Sequence, residues 1–246
     1  MSNPYRFLGL VLCLAGAILT PLFYFIVGSQ PLTAVSISAI MLGFTSIALA
    51  NARPYVSPEA CQMLLSTGME NTAALLEELG LKNRAIYLPS SSRDGSPQAI
   101  IPLVDGDKAA GFKDKLPGRL IVRYGNNPEA MAIAVTTPGS VSIKMLEAQP
   151  GPTASDIESA LTYILTGVLD IADSVTVNAI ESHVNVEVHG ARMYEKNIWY
   201  HRCVGSPIAS IAAAITSEAL GKAVQIEQDM ITEGNKSGKV ILAVLA

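Results

Sequence analysis

Half of the 246 residues are hydrophobic, only 15% are charged, and the mean hydropathy is +0.36. Residues 1–51 hold a single charged side chain, Arg6, whereas the other 195 carry 16 Lys and Arg against 21 Asp and Glu, a net −5. This composition excludes a disordered chain, a collagen and a disulfide-stapled miniprotein, and the lack of a basic patch argues against nucleic acid as a partner.

Phe7–Val27 is a run of 21 uncharged residues. As a helix it measures about 31 Å, close to the ~30 Å hydrocarbon core of a bilayer. Leu32–Ala50 adds 19 more, roughly 28 Å, which spans with slight thinning. Gly28-Ser29-Gln30-Pro31 between them reads as a tight turn. Pro21 would kink the first helix, as membrane helices tolerate, and Tyr24 suits an interface. A signal peptide fits less well: the apolar run is too long and a second follows at once. Cys13 follows the bulky Leu12 inside the apolar run and is not placed as a lipoprotein cysteine. The lipid bilayer is therefore the first expected partner.

The expected organisation is a transmembrane helical hairpin over 1–51, with spans about 7–27 and 32–50. A cytoplasmic α+β domain over 52–246 follows, with a subdomain break near 149–154, where Gln149-Pro150-Gly151-Pro152 interrupts the pattern. Arg6 and Arg53 flank the hairpin on one side and the turn carries no basic residue, so both ends are expected in the cytoplasm. Cys61 and Cys203 are the only cysteines of the body, in keeping with a reducing compartment. On the second helix, Ala34/Ser38 and Ala39/Gly43 are small residues four apart, a spacing that lets helices approach closely. They serve packing within the hairpin or, alternatively, a homo-oligomer or larger membrane complex.

In the body, Ser57-Pro58-Glu59 starts a helix that runs to Leu79, with Gly68 as a dividing point and Gly80 as the stop. Ala85–Leu88 and Ala99–Leu103 read as strands around a Ser-rich loop, and Asp105–Gly118 as polar and Gly-rich. Leu120–Val122 and Val141–Ile143 are further expected strands, with Asn126–Glu129 capping a short helix between them. Ser155-Asp156-Ile157-Glu158 reads as a capping box opening a helix through Val168. Val175/Val177 and Val184/Val186/Val188 mark two alternating strands. Ser206-Pro207 starts another helix, which Gly221 ends, and strands over Ala223–Gln228 and Lys239–Leu245 close the chain. The implied fold is α+β, an antiparallel sheet with helices packed on one face.

The polar face His183/Asn185/Glu187/His189 is the most metal-like cluster, but His183 and His189 lie roughly 20 Å apart along one strand, too far for one ion. It reads as a solvated face. Trp199–Pro207 is chemically the densest segment. It joins the only Trp to His201, Arg202 and Cys203 just before Ser206 and a helix start. A helix start can receive an anion, and a cysteine beside it can have a lowered pKa. His201, Arg202, Cys203 and Ser206 are therefore the ligand-binding candidates; the alternative is that the aromatics and Cys203 are core and Ser206 merely caps. No catalytic residue, metal ligand or cofactor is assigned. Gly234–Lys239 has one residue too few for a P-loop and precedes a strand, so it is a hairpin turn.

Asn71–Leu79 leading to Ala85-Ile86-Tyr87-Leu88-Pro89, then Gln98–Leu103 and Gly205-Ser206-Pro207, resemble a family of uncharacterised archaeal membrane proteins with a two-helix anchor and an acidic α+β domain. That resemblance implies no known activity. With Cys203, Gly205 and Gly221, the segment 155–246 also resembles the small ligand-binding domain related to 4-vinyl reductase, although Met230 and Lys239 stand where cysteines are often found there. Three functions follow as expectations. The first is a membrane-anchored cytoplasmic binding or interaction domain without catalysis. The others are an enzyme or cofactor binder acting on an anionic or hydrophobic molecule near Trp199–Ser206, and a structural subunit of a membrane complex.

Overall fold

A computed structural model describes residues 4–52, 58–94, 99–103, 115–124, 130–180, 182–193, 198–232 and 237–245. Arg53, the Ser57 cap, most of Asp105–Gly118, the Asn126–Glu129 cap and the tip of the last hairpin lie outside the described residues. The chain divides into two compact units, 1–65 and 66–246.

In the first unit, α1 (Pro4–Pro21) packs against α2 (Gln30–Ala52). Pro21 has no N–H to give to the carbonyl four residues back, and the helix continues as a wide π-turn, Leu22–Val27. Gly28, at φ +66°, reverses the chain. Glycines set the helix spacing: a Cβ on Gly9 would sit 2.7 Å from the Gly43 carbonyl, and one on Gly16 would sit 2.8 Å from that of Ser36. The hydroxyls are turned onto the hairpin's own carbonyls. Thr20 donates to Gly16 O (2.7 Å), Thr33 to Ser29 O (2.9 Å), Ser36 to Thr33 O (2.8 Å) and Thr45 to Leu42 O (2.9 Å). What remains outward is apolar, with Phe25 and Ile26 each 79% exposed. Of the small residues on α2, Gly43 is buried against α1, while Ala34 and Ser38 are exposed and Ala39 is half-buried.

Helix α3 (Pro58–Glu78) runs without a break at Gly68 and ends at Gly80, where Leu81 N–H bonds back to Leu76 O (3.0 Å). Eight strands form one antiparallel sheet in the order β3-β4-β2-β1-β7-β8-β6-β5. They are β1 (Ile86–Tyr87), β2 (Ala99–Pro102), β3 (Ile121–Arg123), β4 (Met131–Val135), β5 (Ser174–Ile180), β6 (His183–His189), β7 (Val224–Thr232) and β8 (Ser237–Val244). Among the described residues the strands of 86–135 and those of 174–244 meet where Ile86 pairs with Gln225 and Tyr87 with Val224.

Val141–Ile143 corrects the expectation of a strand. It belongs to helix α4 (Pro138–Ile143), because Thr137 and Ser140 form a capping box with Pro138 in the first turn, and the strand lies earlier, at β4. The second box is also shifted. Thr153 and Asp156 cap α5 (Ala154–Thr162), which extends as a π-turn over Tyr163–Val168, so Ser155 lies inside the helix. Glu158 is thereby free to accept the Val177 N–H of edge strand β5 (2.8 Å). Helices α6 (Trp199–Val204) and α7 (Pro207–Leu220) complete the layer.

Helix α7 lies in the main core with the ends of α3 and α5 and the inner faces of β5, β6 and β8. Among the described residues three stretches are long and apolar enough to cross a bilayer, Tyr5–Val27, Gln30–Ala50 and Trp199–Leu220. The third is α6 with α7, enclosed in this core. A second, smaller core covers the opposite face of β1 to β4 with Leu88, Leu116 and Tyr124. Helices on one face therefore describe the β5–β8 half, whereas the β1–β4 half is covered on both.

Candidate functional site

The predicted site residues all fall in one stretch, α6 and the turn into α7, which crosses beside β7. Gly205 makes the turn at φ +84°, and a Cβ there would press on the Ile226 side chain at 2.5 Å. Ser206 caps α7 by accepting the Ala209 N–H (3.2 Å).

The start of α7 is already occupied by the chain's own anion. Asp229 accepts the Ser206 N–H at 2.6 Å and the Ser206 hydroxyl at 3.1 Å. A negative charge belongs there by the helix dipole. Strict alternation along β7 would turn Asp229 outward, since Val224 and Ile226 face the core. A β-bulge between Ile226 and Gln228 shifts the register, so that Asp229 stands opposite the buried Val240. The extra residue, Glu227, points to the outer face and meets His183 at 3.2 Å. Arg84 secures the bulge by donating to the carbonyls of Ile226 (2.9 Å) and Glu227, while its own carbonyl takes the Gln225 side chain (3.2 Å).

The other groups of the stretch serve as staples. Trp199 Nε1 donates to Leu81 O (2.9 Å), Ala85 N–H to Cys203 O (2.7 Å), and Tyr87 Oη to Val204 O (2.5 Å). His201 is half-buried and gives its Nδ1–H to Gly205 O (3.1 Å). Arg202 is exposed and lies over the Trp199 ring, 5.3 Å from its centroid. Cys203 is buried with its thiol toward Leu81 O (3.5 Å), and burial pushes its pKa up, opposite to the lowering expected near a helix start. Burial likewise pushes the Tyr87 phenol far above its ordinary value. The structure thus gathers His201, Arg202, Cys203 and Ser206 within two turns, but gives each a separate environment.

Sequence inspection missed Arg84, Tyr87, Glu227 and Asp229. The one signal for the last two was the run Glu227-Gln228-Asp229, three polar residues that break the alternation of β7. On the outer face of β6, Glu187 reaches Lys239 (3.9 Å). Among the described residues no three His, Cys, Asp or Glu side chains gather closely enough to hold a metal ion.

No curated protein and no solved structure matches the chain. A family model described as a domain of unknown function, DUF7982, matches residues 4–242, hairpin and sheet together. The chain belongs to that family.

Proposed function

We propose that this protein is a membrane-anchored binding or interaction domain that carries out no chemistry of its own. The hairpin crosses the bilayer twice, with the N-terminus and the α+β body in the cytoplasm, and so holds the body at the membrane surface. The observation that carries the anchor is the hairpin's inside-out polarity. Its glycines and hydroxyls face inward or bond its own carbonyls, and its exterior is apolar. Arg6, with Arg53, supports the orientation. A non-catalytic body is favoured by the occupation of the reactive groups at Trp199–Ser206: Asp229 caps a helix, and Cys203 is a buried thiol with a raised pKa.

In keeping with its resemblance, the family is read as one of archaeal membrane proteins. A small ligand is the second reading, favoured by the exposed Arg202 over the partly buried Trp199 ring and by the likeness of 155–246 to the 4-vinyl-reductase-type domain. The test is fractionation of cells expressing the full chain, with protease added outside intact cells. The protein should pellet with membranes, resist extraction by salt and alkali, and keep its body from the protease. Recovery in the supernatant, or loss of the body to external protease, overturns the proposal. Native mass spectrometry of the detergent-purified protein tests the second reading through any co-purifying molecule.

A further inference from the structure

The body is acidic overall, yet its cations are not spread evenly. Residues 115–124, around β3, hold Lys115, Arg119 and Arg123 and no acid. All three side chains are exposed and none forms an ion pair among the described residues. Between them stand Leu120 and Ile121, 63% and 54% exposed, and Leu103 at the end of β2 is also exposed. Among the described residues β3 is an edge of the sheet and pairs with β4 alone.

A buried fourth cation stands behind these residues. Arg93 is 3% exposed, yet among the described residues Nη1 has no partner and Nη2 reaches the carbonyls of Pro117 and Arg119 alone, each at 3.4 Å. It holds the 115–119 loop in place from behind, and its charge adds to the same side. Asp94 is the acid of the described residues next to the loop, its N–H bonded to Leu116 O (3.0 Å). Charge on an edge strand discourages pairing with another strand, but exposed Leu and Ile do the reverse. Cations that flank exposed aliphatic side chains are instead the composition of a surface that lies on anionic headgroups, with the aliphatic groups in the boundary and the cations among the phosphates.

We propose that the β3 edge is a second membrane contact, docking the body onto anionic lipid through Lys115, Arg119 and Arg123 with Leu120 and Ile121 inserted. This rests on the membrane anchoring proposed above. Docking of this kind is electrostatic, so it depends on lipid charge and is screened by salt, since the Debye length falls from ~10 Å at 0.1 M to ~3 Å at 1 M.

The test uses the full chain with Cys61→Ser and Ile121→Cys, carrying an environment-sensitive fluorophore at 121. The protein is reconstituted into neutral phosphatidylcholine vesicles and into vesicles with 30% phosphatidylglycerol. Flotation of both preparations reports the anchor. The dye at 121 should shift to the blue only in the anionic vesicles and return to the aqueous signal in 1 M salt. A dye at Thr176→Cys on the far edge strand should stay aqueous throughout. Each of Lys115→Gln, Arg119→Gln and Arg123→Gln should lower the docked-to-undocked ratio roughly fivefold, and circular dichroism checks that the variants fold. Protein that floats in both preparations while 121 stays aqueous overturns the docking proposal alone. Failure to float in neutral vesicles overturns the anchor instead.

Discussion

Replacing Asp229 by Ala tests the arrangement at the start of α7. The carboxylate holds the Ser206 N–H at 2.6 Å and the Ser206 hydroxyl at 3.1 Å. A hydrogen bond to a charged group contributes about 1.5–3 kcal/mol, and an acid at a helix N-terminus adds about 0.3–1 kcal/mol. Asp229→Ala should therefore cost about 2–4 kcal/mol. For a unit of about 180 residues this is a fall of roughly 5–15 °C in Tm. Thermal melts of the full chain in detergent, followed by circular dichroism and by the fluorescence of Trp199, measure it. Ser206→Ala should be coupled to Asp229→Ala by about 1–3 kcal/mol in a double-mutant cycle. Glu227→Ala is the control: two residues away, this side chain meets the half-exposed His183 and should cost under about 1 kcal/mol. An unchanged Tm for Asp229→Ala, or equal losses for Asp229 and Glu227, would refute the bulge as the device that aims the carboxylate inward.

Glu158→Ala should free the Val177 N–H on edge strand β5 and raise self-association, which light scattering at increasing protein concentration detects. At the crossing of α4 and α7, a Cβ on Gly139 would run into the Ser210 carbonyl and lie 2.7 Å from Ala214 Cβ. Gly139→Ala should accordingly cost about 1–3 kcal/mol, read as a lower urea midpoint at constant slope. In thiol labelling at neutral pH, exposed Cys61 should react and buried Cys203 should react only after unfolding. Because burial raises the pKa of Cys203, the folded state holds that proton more tightly than the unfolded chain. The stability it contributes is complete below the unfolded thiol value, ~8.5, and declines as pH rises beyond it. Cys203→Ala should flatten this decline in melts between pH 8 and 10, and an equal decline in the variant would show that another group causes it.

Periodicity found most of the elements. β5, β6 and α7 were legible because each pairs a buried apolar face with an unambiguous start or stop, as in Ser206-Pro207 to Gly221. One misreading came from a short stretch, Val141-Ser142-Ile143, which fits strand and helix equally well. Val141–Ile143 is helical because Thr137-Pro138 precedes it, a cap that was readable in the sequence. The site was less legible. His201, Arg202, Cys203 and Ser206 could be found by their chemistry, but the groups that decide their state arrive from far along the chain. Asp229 lies 23 residues beyond Ser206, and Tyr87 reaches Val204 across 117. Arg84 and the bulge it secures depend on a sheet pairing that no local pattern encodes.

The seam at Ile86–Gln225 and Tyr87–Val224 also sets a timetable for synthesis. The first four strands leave the ribosome long before the partner of β1 exists. At about 5–20 residues per second, the 137 residues from Tyr87 to Val224 take roughly 7–27 s. During that interval the amino-terminal helices have emerged and β1 presents an open edge to whatever is near. A nascent chain stopped before residue 224 would keep that edge permanently. The newborn protein is thus most vulnerable to aggregation and to quality-control proteases after its amino-terminal helices have been made and before its final hairpin is complete.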